Sequence, residues 1–158
     1  MNRLVQWVLT GVVSLFLLAL ILGQFLVPIV ASDVGHQMPE VRHLVAPYSV
    51  LGIVTIACIQ GAVIFLYLAV SRRTKDSFFT NNTRMWIFAA GLLCTVAFLI
   101  PAGTAIHLLS TVHAGGPGVV LGLAASLVAA TGFGCLTYIA LKAFDGARTE
   151  HEELGGVI

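Results

Sequence analysis

The sequence predicts an all-α protein, a four-transmembrane-helix bundle with its N and C termini cytoplasmic, and three observations carry that prediction. Hydrophobic residues fill 58% of the 158 positions and charged residues only 9%, with a mean hydropathy of +0.99. Soluble domains carry about a quarter charged residues, so the solvent for most of this chain is lipid. Four apolar runs, about 4–31, 47–71, 85–110 and 118–142, contain no interior Lys, Arg, Asp or Glu. The cations outside them divide by side: Arg3, Arg72, Arg73, Lys75, Arg84, Lys142 and Arg148 on one, Arg42 alone on the other. Because Lys and Arg collect in short cytoplasmic connections, this split directs both termini and the 72–84 connection inward. The whole chain, 1–158, reads as a single membrane domain of a multi-pass protein.

Each run exceeds the about 20 residues that cross a ~30 Å hydrocarbon layer at about 1.5 Å per residue. Within lipid the backbone must satisfy its own hydrogen bonds, which selects helices over open sheet. The first run follows Arg3 and ends in Ile29-Val30-Ala31, like a secretory signal. Signal cores span about 7–15 residues, however, so an uncleaved helix is expected. Between the first two spans lies "SDVGHQMPEVRHLVAPY", whose Asp33, His36, Glu40 and His43 are spaced three, four and three. On a helix they would share about an 80° arc, and imidazole with carboxylate suits a divalent metal or a pH response. Gly35 and Pro39 interrupt such a helix, and Arg42 beside His43 repels a cation, so ordinary interfacial histidines are the stronger reading of these metal candidates.

The second and third spans flank "RRTKDSFFTNNTRMW", where Arg72, Arg73, Lys75 and Arg84 hold the hairpin on its side and form a candidate docking or anionic-lipid surface. Thr80 to Thr83 suits the capped start of a helix; Asn81-Asn82-Thr83 is also a glycosylation sequon, but faces the wrong compartment. Pro101, with Gly103 after it, predicts a bend in the outer third of span three. Gln24 and Gln60 are expected to bond between helices. Counting rise from Arg3 and Arg72 sets them about 30 Å and about 18 Å deep, which argues against a direct pair.

Span four carries Gly118, Gly122, Ser126, Ala130 and Gly134, each four apart. In lipid such small residues mark a close-packing face, toward a neighbour in the same chain or a second copy, the former favoured because a hairpin bundle supplies neighbours. The tail, 143–158, is a frayed end or a partner peptide.

Cys58, Cys94 and Cys135 lie in separate runs and suggest no disulfide or zinc framework. A net charge of +1 without a basic face argues against nucleic acid. No G-x-S-x-G, H-E-x-x-H or phosphate loop occurs, and no span has a central histidine for haem, so no catalytic residue and no cofactor is expected.

"LGQFLVPIVA", "PEVRHLVAPYSVLGIVTIACIQGAVIFLYLAV" and "SFFTNNTRMW" resemble a bacterial four-helix membrane family known only as DUF2975, over roughly Leu4 to Phe144. The resemblance implies a small inner-membrane protein without assigned catalysis, often encoded beside a helix-turn-helix regulator, and supplies no catalytic residues. The function expected is a non-enzymatic accessory or regulatory role through membrane or cytoplasmic protein partners. The alternative is a small transporter or extracytoplasmic sensor using the outer histidines.

Overall fold

The computed structural model describes residues 3–37, 39–71, 81–112 and 116–155. Four helices account for nearly all of them: α1 Arg3–Gln37, α2 Val45–Ser71, α3 Asn81–His107 and α4 Pro117–Gly155. A 3-10 turn over Pro39–Leu44 leads into α2, and α3 passes into a π-helical turn over Leu108–Val112. All four helices are long and apolar enough to cross a membrane, and among the described residues there is no strand. The protein is therefore all-helical with four candidate spans.

Each helix runs antiparallel to the one before it. Thr10 meets Tyr67 across α1 and α2, Tyr48 meets His107 across α2 and α3, and Arg84 meets Asp145 across α3 and α4. The start of α1, the end of α2, the start of α3 and the end of α4 thus share one end, the basic end. The 3-10 and π turns mark the opposite, histidine end.

Packing follows chain order, α1 along α2, α2 along α3 and α3 along α4, with no extended contact between α1 and α4 among the described residues. The buried apolar side chains are Ala62, Ala69, Ala90, Ala97, Ala102 and Ala130, with Phe144 the one large member. Leu15, Val128 and most other large apolar residues point outward. That inverts a water-soluble core: lipid solvates Leu as well as protein does, so helices associate where small side chains admit close backbone approach. Thr83, Ala90 and Ala97 recur every seven residues along α3, as Ala62 and Ala69 do along α2. A seven-residue repeat keeps one seam in register along two helices that coil left-handedly.

Two glycines are required by close approach. A Cβ at Gly91 would overlap the Thr137 side chain, so α3 and α4 touch there backbone to side chain. A Cβ at Gly35 would lie 2.5 Å from Val45 Cγ2, so Gly35 is what lets the chain fold back after α1.

Two expectations change, and the course of α3 past Pro101 is defined. Gly35 does not interrupt α1, which runs on to Gln37 and breaks only ahead of Pro39. Helix α3 stays α-helical through Pro101, although proline cannot donate to the Ala97 carbonyl, and regularity changes only at Leu108. Among the described residues the tail is not frayed, because α4 is helical through Gly155. Phe144 is buried, and Arg84 donates to Asp145 from Nε at 2.9 Å and Nη2 at 3.3 Å. Exposed ion pairs contribute at most about 1 kcal/mol, so the buried ring does more to hold this extension, with the ion pair fixing its direction.

Gly91→Ala is expected to cost about 1–3 kcal/mol through overpacking, with most of the loss recovered in Gly91→Ala/Thr137→Gly and less in Gly91→Ala/Thr137→Ala, where the residue 137 Cβ still lies 2.7 Å from the new one. Thermal unfolding in detergent measures it, and equal stability of Gly91→Ala and wild type would exclude the contact.

Candidate functional site

At the histidine end, Asp33, His36 and His43 do not share one helix. A shared arc needs one helix from Asp33 to His43, whereas the chain leaves α1 at Gln37 and enters a 3-10 turn at Pro39. Asp33 and His36 stay on α1 and His43 goes with the turn; the Glu40 side chain and His113 lie outside the described residues. Among the described residues no three His, Cys, Asp or Glu side chains come together. Instead, His36 Nδ1 lies 2.7 Å from the Ser32 carbonyl, and a carbonyl only accepts, so Nδ1 carries the proton and donates.

Two cavities open at this end. The first, about 270 Å³, lies among α2, α3 and the start of α4 and is walled by Tyr48, Thr55, Pro101, Thr104 and Val119. At its rim the Tyr48 hydroxyl sits 2.8 Å from His107 Nδ1, the rings edge to face. Sequence reading named His107 but not Tyr48; the link appears only once α2 and α3 are antiparallel. The second cavity, about 410 Å³, occupies the elbow between the end of α1, the 3-10 turn and the start of α2, and His36 and Arg42 line it.

Midway along α1 and α2, Gln24 Nε2 donates to Gln60 Oε1 at 3.2 Å and approaches the Ile53 carbonyl at 3.5 Å. The pair that depth counting disfavours is therefore made. The close approaches of Gly23 to Ile56 and of Gly52 to Val27 both match residues whose numbers sum to 79. Gln24 is level with residue 55, about five residues or about 7 Å from Gln60, a gap that two extended amides close. Gln60 Nε2 is buried with no hydrogen-bond partner among the described residues.

The small-residue row of α4 is not one face. Four residues advance a helix by about 400°, so five positions spaced by four sweep about 160° around it. Ala130 is buried and Ser126 half-buried, but Gly118, Gly122 and Gly134 are exposed, and a Cβ on any of them would meet nothing within 4 Å. The face toward α3 follows steps of four and three through Val119, Leu123, Ser126, Ala130, Phe133, Thr137, Leu141 and Phe144, with Phe133 stacked on Phe98 at 5.4 Å. Of the basic-end cluster, Arg84 is engaged by Asp145, and Arg72, Arg73 and Lys75 lie outside the described residues. Cys58 and Cys94 are half-buried and Cys135 exposed, all three free thiols.

The sequence model of a family described as "Protein of unknown function (DUF2975)" matches residues 29–158, a range that leaves out most of α1. No curated protein and no solved structure matches the chain.

Gln24→Leu is expected to weaken α1 docking by about 0.6–2 kcal/mol, the range for interhelical hydrogen bonds in membranes. Gln24→Leu/Gln60→Leu is expected to cost less than the two single changes summed, because removing both amides leaves no buried group unpaired. A double-mutant cycle on unfolding in detergent reads this, and strict additivity would show that the amides do not interact.

Proposed function

The chain belongs to the DUF2975 family, and from that premise we propose that it is a non-enzymatic accessory or regulatory protein of the bacterial plasma membrane that acts through protein partners, with its basic end cytoplasmic. The observation that carries this reading is the length of α4. Its 39 residues extend about 58 Å, nearly twice the ~30 Å hydrocarbon thickness. The excess is the charged stretch after Lys142, anchored to α3 by Phe144 and by the Arg84–Asp145 pair. A helical arm fixed at its root carries the backbone beyond the lipid in a set direction, which is what a protein partner requires and an enzyme of lipid-phase substrates does not. A second copy is a partner of the same kind, reached through the exposed Gly118 and Gly122 edge of α4.

A second reading, a small transporter or sensor, draws support from the Pro101-walled cavity and its Tyr48–His107 rim. Against it, the interiors of the apolar runs carry no Asp, Glu, Lys or Arg, the charged groups that mark most coupled ion paths.

Affinity purification of the full chain in mild detergent, followed by mass spectrometry and sizing, is expected to recover a stoichiometric protein partner. Removing residues 147–158 is expected to reduce that recovery by about tenfold, a loss of about 1.4 kcal/mol or more, without changing thermal stability. A bound metal or small molecule with no protein partner would overturn the accessory reading in favour of the second.

A further inference from the structure

The elbow cavity at the histidine end has a chemistry opposite to the one the histidine and carboxylate spacing suggests. It is walled by Pro28, Ser32 and His36 of α1, by Arg42 of the 3-10 turn, and by Val45 and Ser49 of α2. Arg42 is the single Lys or Arg of this end of the chain, and among the described residues no ion pair or hydrogen bond engages it. Gly35 brings it there: Arg42 Cα lies 3.8 Å from where a Gly35 Cβ would stand, and Val45 is closer still. Without a side chain at 35, the turn folds close onto α1, and Arg42 and His36 line one cavity.

The polar groups of the lining divide into committed and available ones. The Ser32 hydroxyl donates to the Ile29 carbonyl at 2.7 Å, and Ser49, itself buried, donates to the Val45 carbonyl at 2.6 Å. Both hydroxyl protons are therefore occupied. His36 Nδ1 donates to the Ser32 carbonyl, which leaves Nε2 to meet a ligand. What remains is a guanidinium fork with its donors open and one imidazole nitrogen, over a wall of Pro28, Val45 and Ala46. Asp33 and His43, the other described ionisable groups of these elements, do not line the cavity.

We propose that this elbow binds a phosphate-type oxyanion held by the Arg42 guanidinium, with His36 Nε2 adding a second donor when the ring carries a proton on both nitrogens. Arg matches the paired oxygens of such a group through two parallel N–H donors, the geometry in which charge-assisted bonds are strongest. A divalent cation is excluded by the same charge. The oxyanion is either free in solution or the headgroup of a phospholipid whose chains lie along the apolar wall. This site is independent of the partner contacts proposed for the basic end.

The test uses the full chain in detergent with two probes. Inorganic phosphate is titrated while the 15N resonances of the Arg42 side chain and the His36 ring are followed, and phosphatidylglycerol is compared with diacylglycerol, which lacks the phosphate, by native mass spectrometry. Saturable binding of either probe is expected, weakened about tenfold or more by Arg42→Gln and by a smaller factor by His36→Gln, with Lys142→Gln unchanged. Binding of both probes assigns a free-anion site, and binding of phosphatidylglycerol alone assigns a headgroup site. If Arg42→Gln does not fold, Arg42→Lys, which keeps the charge but loses the fork, is expected to bind with intermediate affinity. Neither probe binding, equal binding of diacylglycerol and phosphatidylglycerol with no response to phosphate, or undiminished binding by folded Arg42 and His36 variants would overturn the proposal.

Discussion

Lipid gives one apolar helix no reason to prefer another over an acyl chain, and the rest of this structure follows from that constraint. Helices gain by meeting only where backbones approach closely enough for dense van der Waals contact, or where polar groups find each other. The interior is accordingly built of alanines, with a glycine at the tightest crossing, while leucines, valines and phenylalanines face out. Contact is heaviest along α3, which packs on both α2 and α4, and lightest along α1. The α2–α3 and α3–α4 seams hold most of the buried alanines, whereas Gly35 is the one residue of α1 that is buried among those described.

The spans and their alternating direction were legible because a bilayer imposes length and excludes charge, and both are one-dimensional properties of a sequence. Helix ends were less so. Arg84 reads as a topological charge and Asp145 as part of a loose tail until antiparallel packing sets them 2.9 Å apart. Likewise, depth counted from the nearest cation misjudges Gln24 and Gln60, because α1 and α2 do not start from the same level and amides several residues out of step still reach each other. The α4 row shows a limit of another kind. Spacing by four reads as one face on paper, but it precesses around the helix, and only a mixture of fours and threes stays on a neighbour.

The histidine end illustrates how a break in a helix changes chemistry. Residue types alone offered two imidazoles and two carboxylates at helical spacing, a cation-binding set. Ending α1 at Gln37 takes His43 off the helix that carries Asp33 and His36, and folding the turn over Gly35 brings Arg42 into the lining of the cavity that His36 also lines. The signal was present in the sequence as Gly35, Pro39 and Arg42, but what they jointly build depends on where the turn lands, which spacing does not encode.

Helix α1 ties these observations together. With so little of it buried, its position relies on polar contacts at three levels: Thr10 with Tyr67 at 3.0 Å near the basic end, Gln24 with Gln60 in the middle, and the elbow at the histidine end. The first two are neutral bonds of the kind that contributes about a kilocalorie each in a bilayer. At the elbow, by contrast, one wall belongs to α1 through His36 and the facing cation to the turn that begins α2. A group held by both would bind better to the docked than to the displaced arrangement, and by linkage would stabilise docking by that same difference in affinity. The helix with the least packing is therefore the one whose position an elbow ligand would most readily bias. The cation that makes this coupling electrostatic is Arg42, at the end of the molecule where the sequence supplies no other.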